Sequence, residues 1–229
     1  MMSANVAQAI KGNSLAAMPA KFRRAAQSNE PSVLTDIYEE EANIIIWQRE
    51  LSEQLKDSVK AFLASNQKFQ TSMTVTPENA LASIRQSLGA HGSSTLSENI
   101  AELVDMFCYL FGLERAGLRL TVLDRAMCPK FHVDKVPCRL VTTYQGIATE
   151  WLPHQEVNRE NLGKGSKGKP DHQSGLFKDE CHIQQLGCGD VALLKGESWE
   201  GNEDAGLVHR SPAVLTGERR LLLTLDFSH

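Results

Sequence analysis

Apolar positions keep one period in the first half of the chain and another in the second. Between Glu50 and Ser65 they fall at Leu51, Leu55, Val59, Phe62 and Leu63, the three-and-four spacing of a helix that buries one face. Phe69 to Thr76 alternates loosely, as a strand does. Thr76-Pro-Glu-Asn79 then supplies an N-cap and a proline at the first helical position, which predicts a helix through Leu88. Ser97 and Glu98 open a further amphipathic helix through Leu110, and Gly112 closes it. Asn43-Ile-Ile-Ile-Trp47 fits either a buried strand or the start of a helix.

From Gly117 onward the period falls to two. Leu118-Arg-Leu-Thr-Val-Leu123, Arg139-Leu-Val-Thr-Thr-Tyr144, Gly189-Asp-Val-Ala-Leu-Leu-Lys195 and Arg219 to Phe227 read as strands, separated by turn residues. Helices followed by many short strands predict an α+β fold, here a double-stranded β-helix (jelly roll, cupin-like) with an N-terminal helical layer. Residues 1–28 are expected to form a flexible tail and residues 29–229 a single domain, with 29–116 as mainly helical support and 117–229 as the jelly-roll core.

Composition narrows the function classes. A hydrophobic fraction of 41%, a charged fraction of 23% and a net charge of -4 are those of an ordinary globular chain. They leave no electrostatic footprint for nucleic acid. No stretch approaches the ~20 apolar residues of a membrane span. The Ala-rich N-terminus has no acidic residue before Glu30 but lacks the apolar core of a secretory signal. Five cysteines, an odd number, argue against a disulfide framework and set a reduced, cytoplasmic location as the expectation.

The candidate chemistry lies in Cys128-Pro-Lys-Phe-His-Val-Asp134. On a strand, His132 and Asp134 point the same way and Val133 the other, so one face offers two metal ligands. His209, in Gly206-Leu-Val-His-Arg-Ser-Pro212, is the best third. Two histidines and a carboxylate with open positions form the facial triad of non-haem iron(II) sites. The structural alternative is a polar strand face with a surface histidine. Cys128 and Cys138 bracket the first two ligands and would favour zinc if they reached the metal. Cys181, His182 and Cys188 fit no standard zinc spacing. The run Gly163-Lys-Gly-Ser-Lys-Gly-Lys-Pro170 reads as an exposed insertion, since it lacks the strand, helix and ending of a phosphate-binding loop.

This ordered set, with Gly189-Asp190 before an apolar strand and Arg219 ten residues after His209, resembles the iron(II)/2-oxoglutarate dioxygenases, and their prolyl-hydroxylase branch in particular. The resemblance implies Fe(II) held by His132, Asp134 and His209. It also implies that Arg219 pairs with the distal carboxylate of 2-oxoglutarate, with Tyr144 or Thr142 adding a hydrogen bond and Arg220 on the opposite strand face. Cys-Pro-x-Phe-His-x-Asp, Cys138-Arg-Leu-Val-Thr-Thr-Tyr144 and Thr149-Glu-Trp-Leu152 resemble a bacterial domain-of-unknown-function family, eighteen-twenty-six in that series. Three functions follow: an oxygenase acting on a small molecule, amino acid, peptide or protein side chain; a zinc-binding protein of metal homeostasis; or a non-catalytic binding module.

Overall fold

The computed structural model describes residues 21–89 and 94–228. Its strands are β1 (Arg24–Ser28), β2 (Ala42–Trp47), β3 (Gln70–Val75), β4 (Ala116–Leu123), β5 (Cys138–Gln145), β6 (Glu150–Leu152), β7 (Gln184–Gln185), β8 (Val191–Lys195), β9 (Val208–Arg210) and β10 (Arg220–Phe227). The long helices are α1 (Glu53–Ser65), α2 (Pro77–Leu88) and α3 (Ser94–Phe111). A seven-stranded sheet runs in the order β1-β2-β8-β5-β10-β4-β3, and a three-stranded sheet in the order β7-β6-β9. The large sheet is mixed, because β1 joins β2 in parallel while the other pairs are antiparallel.

The helices start where their caps put them. Ser52 accepts a hydrogen bond from the Leu55 amide, and Thr76 and Asn79 form a reciprocal capping box ahead of α2. Their apolar stripes cover one face of the large sheet: Val59, Phe62, Ile84, Ile100 and Phe107 share a core with Leu120, Leu140, Leu193 and Leu223. The small sheet covers the other face, with Trp151 and Leu207 packed in a second cluster beside Ile44, Val141 and Ala192. Central strands are thus buried on both sides, so β2, β8 and β10 read as continuous apolar runs without clean alternation. Trp199 packs at the edge of the helical core against Tyr38 and Phe111. No helix among the described residues is long and apolar enough to cross a membrane.

Two boundaries are corrected. The tail expected over 1–28 ends earlier, because Arg24–Ser28 form β1; residues 1–20 of that tail lie outside the described residues. The RAAQS sequence has no strand signature, and pairing with β2 recruits it. Arg23 fixes the approach, its guanidinium 3% exposed and donating to Asn202 Oδ1 and the Gly201 carbonyl. The segment 29–116, expected to be mainly helical support, also supplies β2 and β3 to the large sheet; β3 lies where a strand was expected, and Asn43 to Trp47 resolves as the buried strand of its two alternatives.

Candidate metal centre

Between β4 and β5 the chain turns through residues 124–137, and Phe131 roots this connection. Its ring is 3% exposed in a small cluster with Leu152, Leu176 and Val208. The Phe131 amide donates to Asp171 Oδ2 at 2.9 Å. With Phe131 held inward, His132 projects into a cavity with Asp134 Oδ1 3.8 Å from its Nε2. The local structure is a single bridge where a strand was expected: the His132 amide donates to the His209 carbonyl and the His209 amide to the His132 carbonyl, both at 3.0 Å. That bridge sets His209, on β9, beside His132, with ring centroids 4.5 Å apart.

His132, Asp134 and His209 offer ligand atoms that all lie within 4.8 Å of one another. Nε2 of His209 is 3.4 Å from Asp134 Oδ2, and Nε2 of His132 is 3.8 Å from Oδ1. Ligands at right angles with bonds of roughly 2.1 Å sit about 3 Å apart, so a small contraction would close the set on one ion. Both imidazoles are oriented by their other nitrogen. Nδ1 of His132 lies 2.9 Å from the Lys130 carbonyl, and Nδ1 of His209 lies 3.2 Å from that of Leu207. With a metal bound, a proton on Nδ1 would leave each Nε2 lone pair facing the centre, whereas without one Nε2 of His209 is placed to donate to Asp134.

The electrostatics favour the ligating forms. Burial, helped by neighbouring His209, pushes the His132 imidazole down toward its neutral form. Burial alone would raise Asp134, but the hydrogen bond from His209 and the charges of His209, Arg139 and His132 outweigh it and bring the carboxyl to about 2. Arg139 donates through Nη1 to Asp134 Oδ2 at 2.7 Å and through Nε and Nη2 to both oxygens of Asp226, its cross-strand partner, at 2.7 and 2.9 Å.

The cavity beside the triad, about 60 Å³, is lined by His132, His209, Arg139, Arg220, Val141 and Leu222, among others. Arg220 is fully buried and donates only to hydroxyls: Thr143 at 3.3 and 3.1 Å, Ser211 at 3.0 Å and Thr149 at 2.7 Å. No carboxylate among the described residues pairs with it, and burial lowers its pKa to about 10. The arginine expectation is therefore corrected. Arg219 lines a separate surface cleft with Lys60, Leu63 and Gln145, on the α1 side. Leu221, Leu223 and Leu225 face the helices, so Arg220, Leu222 and Thr224 face the triad cavity.

The same parity corrects the other two residues. Tyr144 sits in the helical core with its hydroxyl on Asn99 Oδ1 at 3.0 Å, and Thr142 shares the parity of Leu140 and Tyr144. Thr143, between them, is the β5 hydroxyl that meets Arg220. Arg139, Val141 and Thr143 alternate along β5, a polar-apolar-polar face that was the one available sign of a pocket wall. Of the cysteines, Cys128 lines the triad cavity and Cys138 is buried among the helix-facing residues. His182 pairs with Glu156 at 2.9 Å, and Cys188 donates to the Thr143 and Tyr144 carbonyls. Among the described residues only the His132, Asp134 and His209 group has metal-site geometry.

Several solved structures are similar to the chain. A rice dioxygenase for auxin oxidation shares 10% identity at a TM-score of 0.49, covering 89% of this chain and 82% of that one. A putative oxygenase from Shewanella oneidensis shares 10% at 0.48, covering 90% and 89%. A prolyl-4-hydroxylase from Pseudomonas putida shares 12% at 0.42, covering 86% and 97%. No curated protein matches the sequence. The profile of the family described as protein of unknown function (DUF1826) matches residues 28–226, and the chain belongs to that family.

Proposed function

We propose that this chain is an iron(II)- and 2-oxoglutarate-dependent oxygenase, its two stacked sheets forming a double-stranded β-helix around the triad. One observation carries the reading. Arg220 is a buried guanidinium with no counter-ion among the described residues, in the same small cavity as the His132 and His209 imidazoles, whose Nε2 atoms lie 3.8 and 3.4 Å from the Asp134 carboxylate. Burying an unpaired charge is costly, and an incoming carboxylate would offset that cost with a charge-assisted hydrogen bond. The cavity joins the two imidazoles to the arginine, the two ends that a 2-oxo diacid would engage.

The donor set fits iron(II): two neutral imidazole nitrogens and one carboxylate oxygen, with no thiolate among them. The thiolate-based zinc reading loses Cys138, which packs on the helix face. In the proposed site His132 and His209 bind through Nε2, oriented by the Lys130 and Leu207 carbonyls, and Asp134 binds through an oxygen. Thr143, Thr149 and Ser211 aim the Arg220 fork, while Val141 and Leu222 keep water from the diacid chain. Bound iron(II) would supply dioxygen activation coupled to decarboxylation, one oxygen atom entering succinate and the other hydroxylating the substrate.

The test is metal content and cosubstrate turnover. Anaerobically purified protein should retain one divalent ion per chain after dialysis, and His132→Ala and His209→Ala should lose it. In air, the iron-loaded wild type should convert 2-oxoglutarate to succinate, slowly in the absence of the true substrate. Wild-type metal content in both variants, or no succinate from the iron-loaded protein, would overturn the reading.

A further inference from the structure

The insertion between β6 and β7 carries Lys164, Lys167 and Lys169, all exposed. Its end is tied to both histidine strands. Asp171, two residues after Lys169, accepts from the Phe131 amide beside His132 and from Arg210 Nη1 beside His209, at 2.9 and 3.4 Å. Exposed Lys130, two residues before His132, donates to the Lys169 carbonyl at 3.1 Å. The lysine turn is therefore anchored to the residues that flank both candidate ligands.

The turn is built rather than slack. Backbone hydrogen bonds link Lys167 to Lys164 and Lys169 to Ser166. Gly165 lies so close to the Glu160 carbonyl that a Cβ would come within 1.7 Å of its oxygen, so the backbone that carries the lysines is tightly folded. None of these four lysines joins an ion pair among the described residues, whereas Lys21, Lys56 and Lys60 each do. Asp171 is buried and already engaged, and exposed Glu160 pairs with none of them. A chain of net charge -4 thus keeps four exposed lysines free of ion pairs among the described residues, on two segments hydrogen-bonded to each other next to His132.

We infer that Lys130, Lys164, Lys167 and Lys169 form a docking rim for an acidic peptide segment of a protein substrate, which presents a residue to the His132, Asp134 and His209 centre. What happens at the metal rests on the oxygenase reading; the docking does not. The small triad cavity leaves no room for a substrate beside the diacid, so the substrate lies over the mouth, where His132 is 34% exposed. Nucleic acid is the weaker occupant. Phe131 is buried and the partly buried Phe177 packs edge-on against it, so the two loops offer a base no freely exposed Phe, Tyr or Trp ring on which to stack.

The experiment uses full-length protein loaded with Mn(II) and 2-oxoglutarate, and a glutamate-rich peptide as the probe. A Ser/Gln peptide of equal length and a single-stranded oligonucleotide serve as comparators. The acidic peptide should bind more tightly than both, weaken as salt rises, and show proton line broadening from the nearby Mn(II). Changing the four lysines to Ala should weaken binding roughly tenfold, the loss expected from removing several exposed ion pairs, with metal content unchanged. Lys→Gln at the same positions provides a second variant should the first fold poorly. Equal binding of acidic and neutral peptides, tighter binding of the oligonucleotide, or peptide binding without Mn(II) broadening would overturn the inference. Lysine-dependent, broadened peptide binding in a protein that takes no 2-oxoglutarate would instead sink the oxygenase reading and leave the docking rim standing.

Discussion

Arg220 meets three hydroxyls and no acid among the described residues, the arrangement on which the proposed cosubstrate site rests. Arg220→Ala should weaken 2-oxoglutarate binding by roughly 2–5 kcal/mol, the range for deleting one partner of a buried charge pair. Metal content should be unchanged. Arg219→Ala should shift binding by less than about 0.5 kcal/mol, as exposed positions do. Calorimetry on Mn(II)-loaded protein separates the two, and equal effects would contradict the cavity assignment. The triad was legible in the sequence because ligand chemistry is confined to few residue types. The choice between adjacent arginines was not, since it depends on strand parity and Leu221 to Leu225 is buried on both sides of the sheet. Lys195 gives a prediction of another kind. Its Nζ donates to the Glu39 carbonyl at 2.8 Å over the Trp199 ring. Burial, then the charge of Arg23, lowers its pKa from 10.5 to about 8. Between those values the unfolded chain holds a proton that the folded chain has released, so this lysine makes stability rise with pH across that window. Lys195→Met should remove that rise, up to roughly 3 kcal/mol, as the difference between denaturant curves of variant and wild type at pH 7 and pH 10.

Helix α1 was legible from its apolar stripe and α2 from its N-cap and first-turn proline, both local signals, while the segment around His132 was not, because a bridge to a partner far along the chain shapes it. The turn after β8 shows how tightly that segment is seated. Gly196 lies against it: a Cβ there would come within 2.0 Å of the Val136 carbonyl oxygen and 2.8 Å of that of Asp134. The Gly196 amide also donates to Pro137 and the Glu197 amide to Asp134, both at 2.9 Å. Gly196→Ala should therefore push the Asp134 backbone away from the histidines. We expect a stability loss of about 1–3 kcal/mol, as for other overpacked sites, together with weaker metal retention. Thermal melts with and without Mn(II) would show whether the metal-linked shift shrinks along with the midpoint, and an unchanged shift would mean that Asp134 does not move.

At the scale of the molecule, the sequence disclosed helices before strands but not that β1 and β2 lie on one flank of the large sheet and β3 on the other. That order depends on which faces are buried together, a property of distant pairs. A chain beginning at Asn29 loses both β1 and Arg23 and bares the β2 backbone, so it should unfold at lower denaturant and scatter light as edges associate. Full stability of that truncation would mean that β1 adds nothing to the sheet. The backbone bridge between His132 and His209 has a further consequence, in time rather than space. Its two amides join positions 77 residues apart in the chain, and both donors belong to the candidate ligands themselves. Their exchange with heavy water should be slow when a divalent ion clasps the two rings and should quicken when a chelator withdraws it. Two backbone protons would then serve as a clock for occupancy, readable by NMR without any knowledge of the substrate.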